Sequence, residues 1–139
     1  MREKIILAKI KEIEESISLI VENMPDDFKN FKDLGILKDG IYIRIQYSID
    51  AILEVFSIIN SDFKLSLPKE EEDLIINLVN AGIISKYTGD KIKELRIFRN
   101  QIKYEYGKLD DKLSFELIKE NLDDFDKIIE NIKTIIERH

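Results

Sequence analysis

Isoleucines recur along the first two dozen residues at spacings of four and three: Ile6, Ile10, Ile13, Ile17 and Ile20, followed by Met24. Glu12, Glu14 and Glu15 take other faces, which predicts an amphipathic helix over about 2–24 that Pro25 closes. Pro25 to Gly40 reads as a connection with local packing from Phe28 and Phe31. Residues 41–47 alternate imperfectly and, taken alone, suggest a strand. Yet Ile41, Ile45, Ile49, Ile52, Phe56 and Ile59 form one stripe at helical spacing, so the pattern predicts a helix over about 38–60. After a loop from Asn60 to Pro68, Ser66 is placed to cap and Pro68 to open a third helix, with Gly82 as its C-terminal cap. A fourth helix is expected from Ser85 or Thr88 to about 103, then a turn at Gly107 to Asp111. The last, about 111–138, repeats Phe115, Ile118, Leu122, Phe125, Ile129, Ile132 and Ile136 and is the clearest element in the chain.

Five helices joined by short connections bury every stripe most simply as an all-α antiparallel bundle of four to five helices. At 139 residues, 1–139 is read as one domain. The chain has no cysteine and one histidine, His139, which removes zinc sites, thiol chemistry and any triad built on an internal histidine. The longest uncharged stretch, Leu74 to Ser85, is too short for a membrane span. Arg2, Glu3, Lys4, Lys9 and Lys11 interrupt any signal-like apolar run, so a cytoplasmic location and no membrane partner are expected. Four carboxylates, Glu70, Glu71, Glu72 and Asp73, read as complements to the positive end of the third helix. No second acidic cluster is placed to complete a divalent-cation site, and neither metal nor cofactor is expected.

The fourth helix breaks its own pattern. Its stripe runs Ile92, Leu95, Arg99, Ile102, Tyr106, so an arginine stands where the spacing demands an apolar residue and should face inward. A buried arginine needs a partner: it meets a carboxylate, lines a cleft or lies at a subunit interface, with Glu54 as one candidate partner. Charge is concentrated around it. Between Lys86 and Lys108 seven basic residues, among them Arg96 and Lys103, outnumber three acidic ones, in a chain whose net charge is −6. Interleaved with Tyr87, Phe98, Tyr104 and Tyr106, this segment offers phosphate contacts and stacking surfaces suited to single-stranded RNA, or else an ordinary solvated helix face.

The stretch Leu95 to Gly107, with Arg99-Asn100 and, beyond them, Tyr104 and Tyr106, resembles the signature of the HEPN superfamily and specifically its HepT-type toxins: Arg-Asn, three residues, His, one residue, Tyr. The likeness extends to the long helix about 38–60, the Leu67-Pro68-Lys69 turn, the Ala81-Gly82-Ile83-Ile84 helix end and the long terminal helix. It implies a HEPN-like bundle that forms a homodimer, with two motifs building one metal-independent endoribonuclease cleft. In that scheme Arg99 neutralises the scissile phosphate, Asn100 orients the motif and Glu54 holds Arg99, while Arg96 and Lys103 of the basic segment are the expected substrate contacts. It also implies an MNT-type nucleotidyltransferase antitoxin as partner, with Tyr106 as the tyrosine that accepts AMP. Packing on the apolar stripe is the other role open to Tyr106.

One position departs from the pattern. The family's histidine is Tyr104 here. A tyrosine, with an unperturbed pKa near 10, is a weak proton acceptor at neutral pH, although it can donate a hydrogen bond to a phosphate, stack on a base or pack at an interface. The resemblance therefore leaves two readings, a nuclease with a degenerate motif and a HEPN dimer that binds RNA, a nucleotide or its nucleotidyltransferase partner without cutting.

Overall fold

The structure is a computed structural model that describes residues 1–139. Six helices make up the bundle: α1 (Glu3–Asn23), α2 (Phe28–Lys32), α3 (Ile36–Asp62), α4 (Glu71–Asn80), α5 (Lys86–Tyr104) and α6 (Asp111–Arg138), with a single 3-10 turn at Tyr106–Lys108. There is no strand, and no helix is long and apolar enough to cross a membrane.

The isoleucine stripe of α1 is buried along α3, where Ile41, Ile45, Ile49, Ile52, Phe56 and Ile59 are buried in turn. Ile43, by contrast, is exposed, so the helical reading of 41–47 holds over the strand-like one. Within this seam the Ser48 hydroxyl donates to Ser16 Oγ at 3.0 Å, which satisfies two buried hydroxyls against each other. α5 packs against both α3 and α4, and α6 closes the bundle against α1, α2 and α5.

Three expectations need correction. The segment 25–40 is not a plain connection. Asp27 accepts from the Asn30 backbone N–H at 2.9 Å and caps α2, whose Phe31 is fully buried against Tyr42 and Phe115, with centroids 5.9 and 5.4 Å away. A short capped helix carrying one aromatic anchor leaves too few residues for its period to show. α3 begins at Ile36 and takes in Gly40; the left-handed residue that permits the turn into it is Gly35, with φ +62°.

The third correction concerns α4, which starts at Glu71 rather than at Pro68. Asp73 reaches back to accept from the backbone N–H groups of Lys69 and Glu70 at 3.2 and 3.1 Å, so Glu70 is the N-cap of a capping box. Ser66 does not cap it; its carbonyl accepts from the Asn60 and Asn77 side chains at 3.2 and 2.8 Å. Gly82 does end α4 as expected. At φ +72° its N–H donates to Val79, and the Ile83 N–H to Leu78, both at 3.0 Å. Ser85 caps α5 by accepting from the Thr88 N–H at 3.1 Å, and Asp110 caps α6.

Candidate functional site

The inward placement of Arg99 is found as the spacing demands: the residue is 6% exposed. Two helices supply its partners. Asp50 of α3 lies 3.4 Å from Nη1, and Glu71 in the first turn of α4 accepts from Nη2. Glu71 also accepts from Arg96 Nε at 2.7 Å, one turn before Arg99 on α5. Arg99 Nε is buried without a partner. A planar guanidinium gripped at both ends cannot rotate freely, so the fork is held in one plane before any ligand arrives.

Glu54 does not hold Arg99. Its carboxylate pairs with Lys9 of α1 at 2.5 Å, whereas Asp50, one turn earlier on α3, is level with Arg99. Glu71 was legible only as a complement to the helix dipole, because nothing local ties it to residues more than twenty positions away. The spacing of four between Asp50 and Glu54 was the available signal for the first of the true partners.

Asp50 and Glu71 also form part of the wall of an open groove of about 470 Å³, further lined by Leu53, Glu54, Ser57 and Lys103. Arg99 thus stands directly behind two of the groove's carboxylates. Burial pushes the Asp50 carboxyl above the ordinary carboxylate value, against the pull of Arg99 and Lys103 and with the help of nearby Glu71 and Glu54. Asp50 is therefore held as a carboxylate beside Arg99 against the cost of its burial.

The basic segment is partly spent inside the molecule. Lys86 lies 3.9 Å from Asp90, Lys91 is surrounded by Glu94, Glu120 and Asp124 at 3.6–4.0 Å, and Arg96 is tied to Glu71. Lys93, Lys103 and Lys108 make no ion pair, and of these Lys103 lines the groove. Tyr104 closes α5 and is 69% exposed, with Lys103 Nζ 5.3 Å from its ring centre. Asn100 is half-buried between Arg99 and that exposed end.

Tyr106 does not continue the α5 stripe into the core. It sits on the 3-10 turn, 38% exposed, and its ring packs edge-on against Tyr42 at 5.6 Å between centroids. Its hydroxyl donates to Asp39 of α3. Burial first, then Asp39 and Asp111, push the phenol above its ordinary value. Beside it, Tyr42 donates to Asp111 at 2.8 Å and Lys38 donates to the other oxygen of the same carboxylate at 2.7 Å. The structure thus gathers Arg99, Arg96 and Lys103 in one cluster and gives Tyr106 a second one of its own, with Tyr104 standing free.

Residues 10–132 match the family model described as Ribonuclease HepT-like. The mRNA nuclease HepT of Shewanella oneidensis is 26% identical over 129 residues, spanning 93% of this chain and 96% of that protein. Among solved structures, the tri-AMPylated Shewanella oneidensis HEPN toxin in complex with MNT antitoxin matches with a TM-score of 0.85 at 25% identity, over 94% of this chain and 97% of that one. YutE, a cytosolic protein of unknown function from Bacillus subtilis, shares the fold, with a TM-score of 0.82 at 18% identity over 99% of this chain and 92% of its own. With the match running from Ile10 to Ile132, through every helix of the bundle, the chain belongs to the HepT-like ribonuclease family.

Proposed function

We propose that this chain is the toxin of a toxin–antitoxin pair, a homodimeric endoribonuclease that works in the cytosol without a metal ion and is held in check by an MNT-type nucleotidyltransferase. The observation that carries the reading is Arg99, buried, gripped in one plane by Asp50 and Glu71, and set behind the wall of a groove with Lys103 on its lining. In metal-free RNA cleavage a ribose 2′-hydroxyl attacks the neighbouring phosphorus and the 5′-oxygen leaves, while charge accumulates on the non-bridging oxygens. A fixed guanidinium stabilises that charge without reorganising at the moment of reaction. The phosphate takes the place of the Asp50 carboxylate, the more distant of the two partners at 3.4 Å. Lys103 holds a flanking phosphate, Arg96 braces the Glu71 carboxylate that grips Arg99, Asn100 orients the motif, and Tyr104 donates a hydrogen bond to the reacting phosphate.

Two copies are needed to make the cleft. Ile36, Ile43 and Tyr47 on α3 and Ile97 and Tyr104 on α5 are large, exposed and borne by the two helices that carry Asp50 and Arg99. Such side chains are more than a monomer needs to leave in water, and a second copy covers them. The nucleotidyltransferase partner is supported by the tri-AMPylated toxin in its complex with MNT antitoxin, and Tyr106, at the last position of the motif, is the residue that receives AMP.

A second reading, a dimer that binds RNA without cutting it, draws on Tyr104 in the histidine position. Incubating RNA with purified wild type and Tyr104→His separates the two. The nuclease reading expects product from both, with the variant faster by about 10²-fold, the usual contribution of a well-matched proton donor or acceptor. Product from the variant alone establishes the binding reading for the natural chain. No product from either overturns the nuclease.

A further inference from the structure

Resting on the reading of Tyr106 as the AMP acceptor, we propose that Asp39 is the catalytic base of that modification, a base supplied by the toxin to its own tyrosine rather than by the enzyme that modifies it. The Tyr106 hydroxyl donates to the Asp39 carboxylate. Of the charged and titratable groups around this tyrosine, Lys38 and Tyr42 on α3 are both engaged by Asp111 of α6, whose two oxygens each take one of them. Asp39 forms no ion pair; the Tyr106 hydroxyl is its only side-chain partner. It is the carboxylate of the cluster with no cation paired to it.

The chemistry needs such a group. A phenol attacks phosphorus poorly until its proton leaves, and burial together with Asp39 and Asp111 makes a preformed phenolate scarcer than usual. A carboxylate is a weaker base than a free phenolate. As the oxygen bonds to phosphorus, however, the acidity of its proton rises steeply, and transfer to a carboxylate already in line becomes downhill. In the step, Tyr106 Oη forms a bond to the α-phosphorus of a nucleoside triphosphate held by the nucleotidyltransferase. The bond to the bridging oxygen breaks, pyrophosphate departs with that electron pair, and the proton passes from Oη to Asp39 Oδ1. The products are a tyrosine–AMP phosphodiester, pyrophosphate and a protonated Asp39 that returns its proton to water. The edge-on packing of Tyr42 steadies the Tyr106 ring with its hydroxyl at Asp39, and the residue as a whole is 38% exposed.

The test uses this chain, a purified MNT-type nucleotidyltransferase that binds it and ATP labelled at the α-phosphate, with label incorporation followed in a single turnover. Wild type is expected to be labelled and Tyr106→Phe to stay unlabelled. Asp39→Asn should be slower by about 10²-fold or more, with Asp39→Glu recovering part of the rate. The rate of Asp39→Asn should climb about tenfold per pH unit above neutrality, because attack then waits for the phenolate, whereas that of wild type stays flat. Gel filtration should show all four chains binding the nucleotidyltransferase equally. Labelling of Asp39→Asn at the wild-type rate overturns the inference, as does a slow variant whose pH profile parallels that of wild type, which marks a positioning role only. Wild type that takes no label, or takes it elsewhere than Tyr106, overturns the acceptor reading and this inference together.

Discussion

A long cation at an apolar position of a helix needs a carboxylate, a cleft or an interface to receive it, and Arg99 meets two carboxylates. Which two the sequence did not reveal. Asp50 and Glu71 come from different helices, and the distance from residue 50 to residue 99 along the chain carries no periodic signal. The same holds for Asp39 and Tyr106, joined by a turn whose 3-10 geometry takes Tyr106 off the stripe on which α5 would have placed it. Another such pair ties the two ends of the α1–α3 seam. Asp62 accepts from the Arg2 backbone N–H and from Arg2 Nε, each at 2.8 Å. The backbone hydrogen bond first, then the side-chain bond and the charge of Arg2, hold its carboxyl below the ordinary 3.8 despite burial. A carboxyl depressed in the folded state stabilises above its unfolded value and loses that contribution as the pH falls through the folded one. Asp62→Asn should therefore lower stability at neutral pH by about 0.5 kcal/mol, the pair being partly exposed, and the gap in melting temperature from wild type should close below pH 3.8.

At the scale of elements, periodicity located every helix long enough to show three turns of a stripe. α6 spans Asp111–Arg138 as the spacing predicts, because Asp110 caps it and Phe115, Ile118, Phe125, Ile129 and Ile132 are buried along it, with Asn121 and Asp124 the polar exceptions on that face. α2 was missed because five residues span little more than one turn, and the start of α4 was misplaced because a capping box outweighed the proline upstream. Gly89 shows what propensity leaves out. In the interior of a helix, alanine is ordinarily favoured over glycine by up to about 1 kcal/mol. A Cβ at residue 89, however, would lie 2.7 Å from Val79 Cγ2 and 3.4 Å from Ile75 Cγ2 on α4. Overpacking costs about 1–3 kcal/mol, so Gly89→Ala should destabilise by about 1 kcal/mol net in chemical denaturation. A more stable variant would mean that α4 and α5 separate freely.

The whole molecule sets an acidic chain, with a net charge of −6, against a polyanionic substrate, which a single copy is poorly made to bind. The proposed pairing would bring two motif helices and two copies of Lys103 to one cleft and cover Ile43 and Ile97, which are exposed in the single chain. Ile97→Asp, at an exposed position where folding is not at stake, should shift the sedimentation coefficient from dimer to monomer and abolish RNA cleavage with it. Dimers that persist and still cleave would place the interface elsewhere.

The central claim is that one buried guanidinium stabilises the charge that develops on the phosphate. Its most direct test is the initial rate of RNA cleavage, in the presence of EDTA, by wild type and Arg99→Ala, each first shown to be folded and dimeric. Wild type should cleave, and the variant should lose about 10²-fold or more of that rate. Equal rates for the two proteins would contradict it.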